Sequence, residues 1–111
     1  MDKYEVRVTD EALSDMEKIY KYISFELLAP ENAIGQYNRI ADAILSLEVF
    51  PNRFAFFESE PEHSLGLRRM LVDNYIVCYV VDPGMVTVTD VLYGASDVHT
   101  RLNERINDRF S

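Results

Sequence analysis

The residues best suited to chemistry are two adjacent arginines, a tyrosine and a histidine in the second half of the chain. Arg68 and Arg69 open a predicted strand, Tyr93 ends another, and His99 begins the last predicted helix. Guanidinium groups offer a planar set of donors to phosphate or carboxylate, and a histidine that titrates near neutrality can give up a proton. We interpret these residues as a candidate anion site. The alternative is that His99 is a partly exposed residue at a helix start and that both arginines pair with nearby acidic side chains.

Other familiar site chemistries are missing from the sequence. The four glycines are isolated, which leaves no phosphate-binding loop and no dinucleotide fingerprint. Zinc needs several Cys or His ligands, and the chain offers only Cys78, His63 and His99, so we expect no metal and no cofactor. Cys78 lies within an apolar run and is expected to be a buried small hydrophobe. Ser96, Asp97 and His99 are sequence neighbours without a nucleophile elbow, which argues against a catalytic triad.

The chain is acidic, and its negative charge is concentrated in the first half. Eleven Lys and Arg residues against nineteen Asp and Glu residues give a formal net charge of −8. Residues 1–66 carry six basic and thirteen acidic side chains, whereas residues 67–111 carry five arginines and six acidic side chains. This balance disfavours the broad basic surface that nucleic-acid binding requires. An anion site therefore belongs in the second half.

Length and composition indicate a single domain over residues 1–111. No apolar run approaches the roughly 20 residues of a membrane-spanning helix, so no membrane association is expected. The N-terminus lacks the apolar segment of a signal peptide, and one cysteine fits a reducing compartment. We expect a cytoplasmic protein.

Hydrophobic periodicity predicts the order β–α–α–β–β–β followed by a last helix. Alternation over residues 4–9 predicts a strand, Thr9 or Asp10 can cap a helix over about 11–27, and Pro30 fits the first turn of a second helix. The buried stripe expected on the first helix is Leu13, Met16, Tyr20, Ile23 and Leu27. The stripe expected on the second helix is Ala33, Tyr37, Ile40, Ile44 and Leu47. A helical hairpin packed on an antiparallel sheet follows, which is an α+β fold.

The second half reads as a loop, three strands and a helix. Residues 51–66 form the loop, with at most a short strand over 54–57, and strands are predicted over 67–72, 75–81 and 86–93. The helix after Gly94 carries an apolar seam formed by Val98, Leu102, Ile106 and Phe110. A neighbouring stripe consists of Arg101, Arg105 and Arg109. Either the sheet or a partner must cover the seam, and the arginines either flank it or face a nucleic acid.

Four segments resemble the RelE/ParE superfamily of toxins from type II toxin–antitoxin systems. YEVRVTDEALSDMEKIYKYI is similar to the first strand and helix of the family, and PENAIGQYNRIADAILSLEVFPNR to its second helix. LRRMLVDNYIVCYVVD resembles the arginine-led strand and tyrosine-rich central strand, and VTVTDVLYGASDVHTRL the last strand and C-terminal segment. The segments cover nearly the whole chain in the family's order.

The resemblance implies a bacterial toxin that is neutralised by a cognate antitoxin, whose C-terminal segment wraps it in a hetero-oligomer. RelE-like members cleave mRNA in the ribosome by attack of a ribose 2′-OH on the adjacent phosphate. In that case Arg68 or Arg69 holds the phosphate and His99 is the proton donor. ParE-like members instead poison DNA gyrase. The residues expected to bind a target or an antitoxin are Arg68, Arg69, Tyr93, Arg101, Leu102, Arg105 and Ile106.

The sequence departs from the RelE pattern in its cations. Ile76 stands where those nucleases often carry an arginine, and Gly94, Ala95 and Ser96 stand where they often carry basic residues. Phosphoryl transfer depends on cations that neutralise developing negative charge. We therefore place ParE-like gyrase poisoning first, a ribosome-dependent mRNA endoribonuclease second and a decayed, non-toxic interaction module third.

Overall fold

A four-stranded sheet forms the middle of the molecule and carries helices on both faces. The computed structural model describes residues 3–110, apart from the side chains of Ala95 and of residues 106–110. The elements are β1 (Glu5–Val8), α1 (Asp10–Lys21), α2 (Pro30–Leu45), β2 (Arg68–Val72), β3 (Tyr75–Asp82), β4 (Met85–Leu92) and α3 (Ala95–Phe110). A π-helical turn continues α1 over Tyr22–Glu26, and two 3-10 turns, Ser46–Glu48 and Pro51–Arg53, follow α2. This order confirms the predicted α+β class.

The last three strands form the predicted antiparallel sheet, and the first strand joins it in parallel, so that the whole sheet is mixed. Its strand order is β1-β4-β3-β2, in which β2, β3 and β4 are antiparallel neighbours. The first strand pairs with β4 in parallel, from Glu5 opposite Met85 to Val8 opposite Val88. Alternation of apolar and polar residues reveals a half-buried strand but carries no information on its direction. Only the tertiary structure, which places β1 beside β4, decides the direction of β1.

The helical hairpin packs on one face of the sheet. Thr9 caps α1, because its side chain accepts a hydrogen bond from the backbone N–H of Ala12 at 3.1 Å. Pro30 opens α2, as predicted. The core between hairpin and sheet consists of Ala12, Met16, Ile40, Ile44, Leu47, Met70, Val77, Tyr79, Val86, Val88 and Val91.

Part of each predicted helical stripe is exposed rather than buried. Met16 and Ile23 are buried, but Leu13, Leu27 and Tyr37 are exposed. Leu27 follows the π-helical turn, whose extra residue per turn rotates later side chains away from the original face. Leu13 and Tyr37 belong to a second apolar face on the outer side of the hairpin. The spacing of apolar residues shows that a helix has an apolar side. It does not show how much of that side the sheet covers.

The last helix packs on the opposite face of the sheet. Val98 and Leu102 of α3 join Phe57, Leu67, Ile76 and Cys78 in a second core. Ile76 and Val77 are adjacent in β3 and belong to different cores, because successive strand residues point to opposite faces. The sheet therefore covers Val98 and Leu102, which form the first half of the predicted apolar seam. The side chains of Ile106, Arg109 and Phe110 lie outside the described part of the structure.

Candidate functional site

The free edge of β4 is closed by α1. Beyond Val88, β4 no longer pairs with β1. From that point on, side chains at the start of α1 and within it bond to the backbone of β4. The hydroxyl of Thr9 donates to the carbonyl of Thr89 at 3.1 Å, and Oδ2 of the buried Asp15 accepts from the backbone N–H of Val91 at 3.0 Å. A carboxylate buried at this edge requires a compensating positive charge.

Two arginines from α3 supply that charge. Arg101 donates to Oδ1 of Asp15 at 2.9 Å and to Oδ1 of Asp90 at 3.2 Å. Arg105 donates to both carboxylate oxygens of Asp90 and to Glu11. Hydrogen bonding to Asp15 raises the pKa of the Arg101 guanidinium above its ordinary value. We name these five residues the α1–β4–α3 ion cluster.

A bulge between β3 and β4 directs Asp90 into this cluster. The register slips by one residue, so that Cys78 lies opposite Asp90 while Tyr79 lies opposite Val88. Thr89 is the extra residue, and its hydroxyl donates to the carbonyl of Cys78 at 3.4 Å. The pKa of the Cys78 thiol lies far above its usual range. Burial is the main cause, and the nearby Asp90 carboxylate is the second. The cysteine is a buried core residue, as the sequence predicts.

His99 is held by a buried carboxylate. Glu62, only 1% exposed, lies with Oε1 2.8 Å from Nδ1 of His99 and accepts from the hydroxyl of Ser59 at 2.9 Å. Burial acts to raise the pKa of Glu62, but hydrogen bonds from its own backbone N–H, from His99 and from Ser59 outweigh burial and leave it below its ordinary value. When Nδ1 donates to Glu62, Nε2 is the nitrogen left for proton transfer. The sequence offered no signal for Glu62, which lies in a loop rich in acidic residues.

The two adjacent arginines have different surroundings. Arg68 donates to the carbonyls of Phe54 at 2.7 Å and Asn52 at 3.2 Å, and its guanidinium lies 3.9 Å from the centroid of the Phe56 ring. Its donors therefore hold the preceding loop to β2. Arg69 is exposed on the other side of the strand, and no ion pair involves it within the described residues. Neither arginine takes an acidic partner from the loop there.

Tyr93 lines an aromatic groove at one end of the sheet. Its ring is 63% exposed and makes an edge contact with Tyr75, with ring centroids 5.7 Å apart. The groove encloses about 580 Å³ and is lined by Lys18, Ile19, Tyr22, Leu27, Tyr75 and Tyr93. The pKa of Tyr75 is raised, mainly by burial and to a smaller extent by the neighbouring Tyr93 and Tyr22. Exposed tyrosines that converge on an apolar floor are typical of protein-binding hot spots.

Sequence reasoning found Tyr93 but not the other residues of this aromatic groove. The sequence did contain a signal for Tyr75. Tyr75 begins β3, and Tyr93 directly follows β4, the neighbouring strand. Antiparallel pairing of Ile76 with Leu92 places the two tyrosines beside each other. Tyr22 and Leu27 had no such signal, since the π-helical turn decides where they point.

Three of the four predicted binding residues on α3 are engaged within the molecule, and the side chain of the fourth, Ile106, lies outside the described part of the structure. Leu102 is almost fully buried against the sheet, and Arg101 and Arg105 belong to the α1–β4–α3 ion cluster. Contact with a partner through Leu102 requires α3 to move, whereas the side chains of Arg101 and Arg105 remain 21% and 35% exposed.

Within the described residues, no group of three or more His, Cys, Asp or Glu side chains is arranged to hold a metal ion. Over the same residues, no helix is both long and apolar enough to cross a bilayer.

Comparison with known proteins identifies the class. Residues 6–98 match the model of the ParE toxin of the type II toxin–antitoxin system parDE. The chain belongs to the ParE toxin family. No curated protein matches this sequence at a significant level.

Solved structures show the same fold. The chromosomal ParDE toxin–antitoxin system from P. aeruginosa contains a chain with 20% sequence identity and a TM-score of 0.70, and the similarity covers 84% of this chain and 98% of that chain. The toxin–antitoxin complex RelBE2 from Mycobacterium tuberculosis contains a chain with 21% identity and a TM-score of 0.59, covering 86% of this chain and 95% of that chain. The expected RelE/ParE superfamily toxin fold is confirmed.

Proposed function

We propose that this chain is a toxin that acts by binding DNA gyrase and that a cognate antitoxin holds it inactive. The proposal rests on the contacts that the arginines in the second half of the chain make. Arg68, Arg101 and Arg105 are already bound to acceptors of their own chain. Phosphoryl transfer requires cations aimed at developing charge. With those three engaged, a function through surface contact is favoured over chemistry.

The aromatic groove is the surface that we assign to binding. It combines three tyrosines with the ammonium of Lys18 on an otherwise apolar floor. Rigid aromatic side chains contribute most of the affinity at protein interfaces because they bury large areas with little loss of conformational freedom. The antitoxin and the target are both candidates for this groove, and competition between them would explain neutralisation.

A supercoiling assay tests the gyrase proposal. Purified chain added to gyrase, relaxed plasmid and ATP should inhibit supercoiling, and purified antitoxin should restore it. A Tyr93→Ser variant should inhibit less if the groove contacts gyrase. Undiminished supercoiling with toxin in large excess over gyrase would overturn the proposal.

The pairing of Glu62 with His99 favours a second candidate, a ribosome-dependent mRNA endoribonuclease. In this scheme the ribose 2′-hydroxyl loses its proton to water, its oxygen bonds to the adjacent phosphorus, and the bond from phosphorus to the 5′-oxygen breaks. His99 gives the leaving oxygen its proton through Nε2, while Arg69 holds the phosphate. Glu62 orients the imidazole and stabilises its charged form. Cleavage of mRNA in a translation extract, abolished by His99→Ala, is the expected result for this candidate, and intact mRNA would exclude it.

A further inference from the structure

Four large apolar side chains are exposed where the first helix of the hairpin ends and the chain turns towards the second. Tyr22 is 55% exposed, Phe25 67%, Leu27 57% and Leu28 82%. We call residues 25–28 the hairpin tip. Tyr22 and Leu27 also line the aromatic groove, so the apolar surface of the groove continues onto the tip. A connected apolar surface of this kind is typical of a site that contacts another protein.

The backbone at Leu28 does not favour a leucine. Its φ of 52° lies in the left-handed region, which a residue with a side chain adopts only with strain. The backbone N–H of Ala29 donates to the carbonyl of Ile23 at 3.1 Å, a bond that ends helices at a left-handed residue, where glycine is the usual choice. Since Leu28 is also the most exposed of the large apolar residues, its own fold gives no reason for a leucine here. A contact outside the chain gives one.

The exposure of the tip favours a folded partner with a concave surface. A flexible antitoxin segment binds by lying in a groove of the protein that it contacts. A side chain that protrudes as far as Leu28 offers no groove, and it becomes buried only when a pocket on a folded surface closes around it. The shape of the tip therefore favours the target over the antitoxin.

Charge distinguishes among folded partners and surfaces. Glu26 in the tip and Glu31, three residues after Leu28, are exposed, and neither forms an ion pair within the part of the chain that the structure describes. The cation nearest to the tip in sequence, Lys21, pairs with Glu17 at 2.8 Å. A second copy docked tip against tip would bring like charges together, and an anionic bilayer would repel them. An enzyme that binds DNA has a positively charged surface, which would attract them.

We propose that the hairpin tip is a contact made with the target alone, in which Phe25 and Leu28 enter an apolar pocket of DNA gyrase whose rim carries Lys or Arg side chains. The aromatic groove is open to antitoxin and target, whereas the tip contacts only the target. This inference rests on the proposed function for the identity of the target.

Inhibition of supercoiling and binding of the antitoxin, measured on the same variants, test this inference. Leu28→Asn removes the apolar side chain and supplies a residue type that tolerates the left-handed region. It should raise the concentration of purified chain that half-inhibits gyrase at least about tenfold, because the complex loses a buried leucine. Its affinity for the purified protein encoded beside the gene for this chain should equal that of wild type. Its melting temperature should not fall, because Leu28 is exposed and strained.

Two further variants test the size and the charge of the contact. Leu28→Met keeps an apolar side chain of similar volume and should inhibit gyrase within about threefold of wild type. Glu26→Lys reverses a charge that faces the basic rim and should raise the half-inhibitory concentration about tenfold at low salt and less at high salt. Lysine in the last turn of a helix is favoured by the helix dipole, so unfolding of the turn does not explain this loss.

Leu65→Asn is the matched control, because it makes the same change at another exposed leucine, in the loop before β2. It should inhibit gyrase like wild type. Undiminished inhibition by Leu28→Asn, stronger inhibition by Glu26→Lys, an equal loss in Leu65→Asn, or a comparable loss of antitoxin affinity in Leu28→Asn would overturn the inference and leave the proposed function standing. If wild type itself does not inhibit supercoiling, the proposed function fails and the inference fails with it.

Discussion

Oδ1 of Asp15 in α1 lies 2.9 Å from Nη2 of Arg101 in α3, so a single ion pair joins helices that pack on opposite faces of the sheet. The contact passes around the edge of β4, where Asp15 also accepts from the backbone of Val91. The α1–β4–α3 ion cluster therefore attaches α3 to the rest of the molecule electrostatically, as the pair of His99 and Glu62 also does. Asp90 is its most deeply buried acid and contacts both arginines.

Removing Asp90 should destabilise the protein strongly. Asp90→Ala removes the buried carboxylate that both arginines contact and leaves them the half-exposed Glu11 as their shared counter-ion. Breaking such a buried set costs about 3 kcal/mol. Urea unfolding monitored by circular dichroism measures the free energy of unfolding. Asp97→Ala, which removes an exposed acid from the first turn of α3, should change it by less than about 1 kcal/mol. Equal stability of the two variants would show that the cluster does not hold α3.

The contribution of Glu62 should depend on pH. Its pKa is lower in the folded protein than in the unfolded chain, so its stabilising effect is present above the unfolded value of about 4.3 and is lost as pH falls through the folded value. Urea unfolding of wild type and Glu62→Gln between neutral pH and pH values below the unfolded pKa should show a stability difference that shrinks on acidification. Glu58→Gln, at an exposed position in the same loop, should show no such trend.

The aromatic groove should matter for binding and not for folding. Tyr93→Ser should weaken antitoxin affinity about 30-fold, the scale of a hot-spot residue, with an unchanged melting temperature because the ring is largely exposed. Phe50→Ser, which removes another exposed aromatic ring from outside the groove, should leave affinity unchanged. Isothermal titration calorimetry distinguishes the two. Equal affinities would remove Tyr93 from the interface.

Arg68 and Arg69 should differ in what they support. Arg68→Ala should lower the free energy of unfolding by about 1–2 kcal/mol, because it loses two carbonyl acceptors and its stacking on Phe56. Arg69→Ala should change stability by less than about 0.5 kcal/mol. If the protein is an endoribonuclease, Arg69→Ala should nevertheless reduce mRNA cleavage in a translation extract. A loss of stability in Arg69→Ala comparable to that in Arg68→Ala would contradict this assignment.

Expression should separate an active toxin from a decayed one. Induced expression without the antitoxin should arrest growth, and co-expression of the antitoxin should restore it. Growth curves and viable counts give the readout, and Tyr93→Ser provides a folded variant of the aromatic groove. Unimpaired growth at confirmed expression of wild type would favour the non-toxic interaction module.

Local patterns in the sequence determined most of the elements. Pro30 marks the start of α2 through its fixed backbone angle and was located correctly. Thr9, one of the two residues predicted as possible caps of α1, is the one that caps it. Alternating and continuous apolar runs located the strands to within a residue or so. These signals act between residues close together in the chain, which is why a single sequence reveals them. The burial of Cys78 followed from the same reasoning.

Tertiary structure alone decided which of the candidate residues are available. Arg101 was predicted on a stripe beside an apolar seam, but only packing around the edge of β4 brings it to Asp15, 86 positions away. Glu62 became the partner of His99 in the same way, across 37 positions. The sequence by itself determined the family, the element order and the excess of acid in the hairpin. Which charges neutralise one another and which apolar faces stay open depends on long-range contacts, whose energies come from burial and geometry that no local pattern encodes.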